Sequence, residues 1–492
     1  MKRILLCIIV YLVFLPASAG ELDRYIDAAL AQKGIPSSPQ SDPARLVRRT
    51  FLVVTDRIPT SQQTAAYLRN PDRIALVDSL LASEGFVEKQ VLKWGDLLRI
   101  KSEFPSCMWP NAVQAFNKWL GDAFRANMPY DAFVRSLLLS TGSNFRVPQT
   151  NFYRAGNDRS PAKFSADAAL LFLGRRQAPV GWEPFFAQVK FKSTKEWKEE
   201  ILCLNPDAEQ KEQAILDGRN INLEPGTDWR QPLAEWLTSK QNRDFARAFA
   251  NRLWAWLMGR GIIDPCDDMD GGHAPVDAAV LDYLTDRFIA SGFDVRALAR
   301  EILLSDAFSR STLSVKGNEA DDTGFSHYRL DRLTSEQLCD AICDITEIPD
   351  LYSSRAPEPF TNFPAGTRAN QVCDGTITTP QLDLFGRPSR DVALESSRDN
   401  TLDAKQILYL LNSTVIQDKL TRSPYMKQIA GKDRTTAIKD IYMRVLSRPA
   451  TREEISAFQK WTQGLDPAFR GRRGLESLVW ALINSDEFLF VN

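Results

Sequence analysis

The sequence predicts a mainly α protein with two helical domains, long irregular loops and little strand. Three observations support this fold class. Helix-capping signals precede apolar patterns with a period of roughly 3.6 residues. These patterns recur along most of the chain, whereas the alternation typical of strands is scarce. The composition agrees, because 44% hydrophobic and 25% charged residues among 492 are typical of a folded globular protein.

The clearest helix starts are three capping boxes. In each, a threonine is followed three residues later by Gln or Glu, so the two side chains can bond the free N–H groups of the first helical turn. The three pairs are Thr60 with Gln63, Thr334 with Gln337, and Thr451 with Glu454.

Residues 245–308 carry the strongest apolar periodicity and predict three packed helices. Apolar side chains recur every four residues over 245–257, and Gly259 then ends the first helix. The same spacing over 280–288 predicts the second helix, and the apolar positions in 298–303 predict the third.

Other stretches lack this periodicity. The best short strand candidate is the apolar run 51–54. Residues 191–228 are polar and contain Asn205-Pro206 and Glu224-Pro225-Gly226, which predicts a connector between two halves. Residues 349–388 are rich in Pro, Gly, Thr and Asn, and so long a loop is either functional or a lid over a surface.

The first nineteen residues are typical of a secretory signal peptide. Lys2 and Arg3 precede the apolar run 4–15, and an Ala-Ser-Ala sequence then ends at Ala19. We expect cleavage after Ala19 and a periplasmic or secreted mature protein. An uncleaved membrane anchor is the alternative, although the run is only about half of the ~20 residues that a bilayer span needs. No later stretch is long and apolar enough to span a membrane.

Charge and motifs exclude several classes of function. Lys and Arg number 61 against 62 Asp and Glu, so the chain lacks the basic excess of a nucleic-acid-binding protein. With only His273 and His327, the chain cannot build a three-histidine metal site or a zincin motif. Phosphate-loop, dinucleotide-binding and nucleophile-elbow motifs are also absent.

Six cysteines remain after signal cleavage: Cys107, Cys203, Cys266, Cys339, Cys343 and Cys373. An even number in an oxidising compartment permits up to three disulfides, although domains of this size fold without them. Cys339 and Cys343 share a face of a predicted helix, either as a vicinal redox pair or as two small core residues. No pair forms a C-x-x-C motif.

The first candidate site is the acidic loop 264–273. Its carboxylates, including Asp267 and Asp268, are potential Ca²⁺ ligands, but the loop lacks the EF-hand register. The other interpretation is a solvated connection whose aspartates cap the next helix. Just before this loop, Asn251 and Arg252 stand on a predicted helix, where Arg252 is a potential ion-pair partner for the loop.

The second candidate site follows the long irregular region and contains Arg387, Arg390, Glu395 and Arg398. A guanidinium donates two parallel hydrogen bonds to a carboxylate, sulfate or phosphate, so these arginines are candidates for gripping an anion. Arginines that pin the loop to the helical body would have the same sequence pattern.

Motifs along both halves resemble a known family. The first half carries them at Leu46–Phe51, Ile58–Thr60, Lys93–Asp96, Met128–Phe133, Asn151–Arg154 and Phe172–Gly174. The second half carries them at Leu233–Ser239, Asn251–Trp254, Gly259–Gly261, Asp267–Asp268, Phe385–Pro388, Thr401–Leu402, Leu410–Asn412 and Ser485–Phe488. They resemble a secreted planctomycete-type pair of domains of unknown function, a cytochrome-like domain followed by the planctomycete-specific domain. The resemblance implies a signal peptide (1–19), an N-terminal domain (20–190), a connector (191–228) and a C-terminal domain (229–492).

The resemblance also implies what this chain has lost. Relatives carry a C-x-x-C-H segment, the motif for covalent haem, where this chain has residues 175–182 without Cys or His. Leu394 and Ser396 stand where relatives tend to have the two cysteines of a C-E-C-E-R motif, and Asp277 stands where many have histidine. Covalent haem is therefore disfavoured, and we predict no cofactor.

Three functions are consistent with these features. The first is an exported interaction or scaffold protein of the cell envelope that has lost the haem-type motif. The second is an enzyme or binding protein for extracellular, sulfated or acidic polysaccharide, with Asp267, Asp268, Glu395, Arg252 and Arg398 around one cleft. The third is a haem-free subunit that docks on a cytochrome. The expected partner is thus an envelope protein or a polysaccharide.

Overall fold

Helices make up most of the computed structural model, which describes residues 20–196, 198–354, 363–466 and 470–491. The mainly α fold class is therefore confirmed. The predicted signal peptide and its cleavage site after Ala19 lie outside the described residues.

The N-terminal segment, residues 20–190, contains α1 to α8. Their bounds are α1 (Glu21–Lys33), α2 (Pro43–Thr55), α3 (Ser61–Arg69), α4 (Arg73–Leu81), α5 (Glu84–Leu97), α6 (Pro110–Arg125), α7 (Tyr130–Leu138) and α8 (Pro161–Leu173). Short 3₁₀ helices follow at Pro148–Arg154 and Glu183–Phe186.

Two small antiparallel sheets occupy the region around the predicted connector. Their strands are β1 (Gly142–Ser143), β2 (Val189–Ser193), β3 (Glu200–Leu204), β4 (Ala214–Leu216) and β5 (Arg219–Ile221). The first sheet has the order β1-β3-β2, with Phe191 opposite Leu202, and β4 pairs with β5. Polar residues and turns predicted a connector here, and the structure adds two hairpins to it.

The C-terminal segment, residues 229–491, is again helical. Its helices are α9 (Arg230–Leu237), α10 (Arg243–Met258), α11 (Ala278–Ala290), α12 (Val295–Leu303), α13 (Asp306–Ser309), α14 (Ser335–Thr346), α15 (Pro380–Leu384), α16 (Ala404–Asn412), α17 (Thr414–Arg422), α18 (Pro424–Ile429), α19 (Arg434–Val445), α20 (Arg452–Gln463), α21 (Arg472–Ile483) and α22 (Asp486–Leu489). Strand β6 (Asp331–Arg332) pairs with β7 (Phe490–Val491), and 3₁₀ turns lie at Ala369–Gln371 and Glu395–Ser397.

The local signals for helices are confirmed. All three predicted capping boxes form, at the starts of α3, α14 and α20. Helices α10, α11 and α12 are the three predicted between residues 245 and 308, and Gly259 ends α10 with a φ of 80°. The strand predicted at residues 51–54 is wrong, because this run lies inside α2. Helix α2 is buried on most sides, and four consecutive apolar residues at 51–54 are too short a run to show a helical period.

The two segments share one apolar core. The Tyr130 ring of α7 stacks on the Phe249 ring of α10 with centroids 4.1 Å apart, and Trp94 of α5 also packs against Phe249. From α2, the buried Arg48 donates to the Val445 carbonyl at 2.9 Å. Packing and hydrogen bonds therefore both cross the predicted domain division.

The described helices and cysteines bear on membrane spanning and on disulfide formation. None of the helices in the described ranges combines the length and apolar character needed to cross a membrane. The six cysteines of the described residues are free thiols. Cys339 is buried in a small apolar cluster, whereas the Cys343 thiol lies 3.3 Å from the Lys419 ammonium.

Candidate functional site

A cleft of about 680 Å³, which we name the junction cleft, lies where the N-terminal segment meets the C-terminal segment. Helix α5 contributes Lys89 and Lys93, which stand one turn apart and therefore share a face. The end of α10 contributes Trp256. Two loops line one side of the cleft, the acidic loop with Asp267 and the region after the long irregular segment with Glu395, and residues 328–332 and 490–491 also line it.

Asn251 shapes the acidic loop from the adjacent helix. Its side-chain oxygen accepts the Ile263 N–H at 2.9 Å, and its amide donates to the Ile263 carbonyl at 2.8 Å. Because Gly259 has already ended α10, this pair of bonds turns the chain back along the helix. The turn carries Asp267 to the cleft, so Asn251 acts as a scaffold for the loop and does not itself line the cleft.

Asp267 is buried between two partners. Its carboxylate lies 3.5 Å from the Arg252 guanidinium, the ion pair considered from the sequence, and accepts the Glu395 N–H at 2.5 Å. Burial raises the pKa of Asp267 despite the neighbouring Arg252. Arg252 also donates to the Leu171 carbonyl near the end of α8, at 2.5 Å. The acidic loop is thereby fastened to both segments.

Asp268 points away from the cleft. It pairs with Arg176 at 3.0 Å and lies 4.0 Å from His273. The expectation that aspartates of this loop cap the next helix is wrong, because α11 is capped by Asp277, which accepts the Ala279 N–H. Asp277 and Arg176 thus have structural contacts at positions where the family resemblance would place haem-type residues.

The segment 386–398, which we name the strap, crosses from the C-terminal segment onto α5. Arg387 donates to the Ile377 and Val372 carbonyls at 2.5 and 3.0 Å. Arg390 donates to Asp96 at 2.9 Å. These contacts pin the strap to the helical body, which was one of the two interpretations of the arginines.

Arg398 completes a buried chain of alternating charges. It donates to Glu336 at 2.5 Å and to Asp96 at 2.6 Å, while Arg387 lies 3.6 Å from Glu336. The order of charges is therefore Arg390, Asp96, Arg398, Glu336 and Arg387. Burial alone would raise the pKa of Glu336, but Arg398 and Arg387 hold it far below its usual range.

Two lysine–carboxylate pairs lie beside this row of alternating charges. Lys93 contacts Glu395, and Lys89 contacts Asp56 at the end of α2. Burial would raise the pKa of Glu395, but Lys93 and Arg398 lower it. Both lysines face the cleft while their ammonium groups are held by carboxylates.

The structure gathers part of the predicted site. Asp267, Glu395 and Arg398 line the cleft, and Arg252 stands directly behind Asp267. Asn251, Asp268 and Arg387 lie outside it. Within the part of the chain that the structure describes, no group of three or more His, Cys, Asp or Glu side chains is arranged to hold a metal ion.

Sequence reasoning did not select Lys89, Lys93, Asp96 and Glu336 as site residues. The first three stand on α5 at spacings of four and three residues, so they share one helix face. Polar residues that recur on one face of a helix rich in apolar residues were the available signal. No local sequence pattern marked Glu336, because its role depends on two arginines more than fifty residues away.

Comparison with known proteins finds one family within each of the two segments. Residues 21–170 match PSCyt2, a protein of unknown function (DUF1549), and residues 229–462 match PSD1, a protein of unknown function (DUF1553). No curated protein and no solved structure matches this chain. With both domains present in this order, the chain belongs to the planctomycete-type two-domain family of unknown function.

Proposed function

We propose that the protein is an exported interaction or scaffold protein of the cell envelope, which receives a partner protein at the junction cleft. The observation that carries the proposal is that the charged groups selected from the sequence are paired inside the protein. Asp267 lies in the wall of the cleft but has no exposed surface, and Arg252 and the Glu395 N–H already contact its carboxylate, so it is poorly placed to exchange a proton with a substrate as a general acid or base must. Pairing of this kind supports a rigid binding surface better than a catalytic centre.

The rim of the cleft has the composition of a protein-binding surface. Leu330 is 49% exposed, and the neighbouring Arg329 side chain is 50% exposed. A second groove of about 310 Å³ continues from the cleft and shares Leu330, Leu402 and Phe490 with it. Aromatic rings and arginine are enriched at protein interfaces, and the presence of Phe490 and Arg329 supports a protein partner here.

A photo-crosslinking experiment tests the proposal. A benzophenone amino acid replaces Leu330 in the protein expressed in its native envelope, and a matched variant carries it at Leu313, which is 64% exposed and lies outside the cleft. We expect a specific protein adduct at Leu330 alone, identified by mass spectrometry. Equal adducts at both positions, or none at Leu330, would contradict the proposal.

The crosslinked adduct at Leu330 also tests the alternative that the protein is a haem-free subunit that docks on a cytochrome. If the adduct formed at Leu330 contains haem, visible absorbance of the isolated band reveals docking on a cytochrome. Stoichiometric haem or metal in the purified protein itself would overturn the proposed loss of the haem-type motif.

Export is tested separately. We expect the protein in the periplasmic or secreted fraction, with Gly20 as the first residue of the mature chain. Recovery of an intact N terminus in the membrane fraction would favour the uncleaved anchor.

Polysaccharide binding is the second candidate, and one observation favours it. Trp256 is partly exposed in a cleft that contains both hydrogen-bonding and apolar surface, and an aromatic ring offers a flat apolar face to a sugar. Affinity electrophoresis in sulfated and uronate polysaccharides should then show retardation that Trp256→Ala abolishes. Trp461→Ala is the control, because Trp461 is 47% exposed on α20 and does not line the cleft.

A further inference from the structure

Strand β2 is an edge of its sheet. The order β1-β3-β2 leaves one side of β2 without a partner strand among the described residues. At the start of β2 the Asn205 N–H donates to the Gln188 carbonyl at 2.7 Å, so these two residues form a hydrogen-bonded pair. Bonded and non-bonded positions alternate along an antiparallel ladder. The backbone N–H and C=O groups of Val189, Phe191 and Ser193 therefore point away from β3, toward the open side.

The side chains of β2 give this edge two different faces. Lys190 and Lys192 are exposed on one face. Val189 and Phe191 lie on the other face, where they are half-buried and pack against the rim of the apolar core. The edge is thus basic on one side and apolar on the other, and its position is fixed by the core.

The charges of the two lysines are available to a ligand. Lys190 and Lys192 stand opposite Cys203 and Ile201 of β3, which carry no charge. Glu200, the next residue of β3, is already held by two arginines, and neither lysine forms an ion pair within the described residues. Two ammonium groups therefore project beside a row of open backbone hydrogen-bonding groups.

We propose that β2 is a docking edge for an extended acidic segment of a partner protein, which joins the sheet as a fourth strand. Main-chain hydrogen bonds to the open side supply affinity, and alternate side chains supply specificity. Carboxylates of the segment lie beside Lys190 and Lys192, and its apolar side chains lie beside Val189 and Phe191. The partner sequence is therefore one in which acidic and apolar residues alternate.

The same lysines select against other strands. A basic strand, or β2 of a second copy of this chain, would bring like charges together at the edge, and lysine is a common protection against such pairing. An acidic segment is the one whose charge complements this edge.

This surface is separate from the junction cleft. Residues 189–193 do not line the cleft, and they lie between the two family matches, 21–170 and 229–462. The inference therefore does not depend on the partner proposed for the cleft. An interaction protein with both surfaces could hold two partners at once.

Peptide binding tests the inference. The mature protein is titrated near pH 7 into a fluorescein-labelled peptide of alternating Glu and Val. A peptide of the same composition with Glu and Val in separate blocks, and an alternating Lys–Val peptide, are the controls. We expect saturable binding of the alternating acidic peptide alone, together with slower deuterium exchange at residues 189–193. Equal binding of the block peptide, or binding without slower exchange, would overturn the inference, since charge attraction would then explain it.

A polyanion is the competing ligand in the same experiment. Dextran sulfate is tested in parallel because exposed lysines also attract sulfate groups. Slower exchange at residues 189–193 with dextran sulfate, but with none of the peptides, would assign the lysines to a polysaccharide and overturn the inference.

Two pairs of variants separate the contributions of charge and backbone. Lys190→Glu with Lys192→Glu should weaken peptide binding about ten-fold, whereas Lys33→Glu with Lys316→Glu makes the same charge change at exposed lysines outside the sheets and should not. Ser193→Pro removes an N–H of the open side, which an edge strand tolerates, and should abolish binding. Ser193→Ala loses the same hydroxyl but keeps the N–H and the binding.

Unchanged affinity in the double glutamate variant of β2 or in Ser193→Pro would contradict the proposal. Melting temperatures show whether each variant is folded. The peptide panel and the exchange measurement on the unaltered protein decide the question even if a variant fails to fold.

Discussion

The Asp96 carboxylate accepts a hydrogen bond from the Arg398 guanidinium at 2.6 Å, a contact that joins helix α5 to the strap. Arg390 donates to the other oxygen of the same carboxylate at 2.9 Å. One acidic side chain of the N-terminal segment thus holds two buried arginines of the C-terminal segment. The position of the strap depends on this residue.

We therefore predict that Asp96→Ala destabilises the protein by about 3–5 kcal/mol, because removing one partner leaves buried arginines without compensation. Urea unfolding followed by circular dichroism measures the change. Asp391→Ala is the control. The Asp391 side chain is 47% exposed, so its ion pair with Lys101 should contribute only about 0–1 kcal/mol. Equal effects of the two substitutions would contradict a special role for Asp96.

Gly386, at the start of the strap, is predicted to be intolerant of any side chain. Its φ is +85°, and a Cβ atom there would lie 1.8 Å from the Asp399 carbonyl oxygen. We expect Gly386→Ala to cost more than about 2 kcal/mol in thermal unfolding, from backbone strain together with the collision. Gly366→Ala isolates the strain, because Gly366 has a φ of +89° with open space around it, and should cost only about 1 kcal/mol.

The stability of the protein should depend on Asp340 between about pH 4 and about pH 7. Burial raises the pKa of Asp340 to about 7, compared with 3.8 for an ordinary aspartate. In this range the folded protein holds a proton that the unfolded chain has released, so stability falls as pH rises. In Asp340→Asn the amide resembles the protonated carboxyl and can still accept the Ala369 N–H.

The measurement is the difference in melting temperature between Asp340→Asn and the unaltered protein across this pH range. We expect the difference to shift in favour of the variant as pH rises through the window. A difference that does not change with pH would contradict the raised pKa.

Thiol labelling should separate the cysteines by access. Cys107 is exposed, whereas burial raises the pKa of Cys343 and of Cys373 to about 12 and so removes the reactive thiolate. We predict that an alkylating reagent at pH 8 modifies Cys107 first, and that Cys107→Ser removes this fast phase. Denaturation without a reductant should expose six thiols in the mature chain; a smaller number would reveal disulfides.

The sequence predicted the features of the fold that depend on neighbouring residues. A capping box such as Thr60 with Gln63 involves side chains and N–H groups within one turn, so its chemistry is visible locally. The apolar run 51–54 misled because a buried helix and a buried strand have the same short pattern. Residues 51–54 are helical because α2 packs on several sides against residues that are distant in the sequence.

The site was predictable to the same limited extent. The sequence pointed to Asp267, Glu395 and Arg398 because they are charged residues in irregular segments, and the three do line one cleft. Asp96 was not selected, since a single aspartate on a helix is usually a solvated residue. Its contacts with arginines 294 and 302 residues away arise only in the folded chain.

The stacking of Tyr130 on Phe249 has a practical consequence for dividing the chain. Each ring belongs to a different family domain, and each is nearly inaccessible to water in the whole protein. Producing either half alone would uncover these rings together with the rest of its share of the core, and exposed apolar surface of this kind leads to aggregation. The two domains are therefore best regarded as a single folding unit, to be expressed and inherited together.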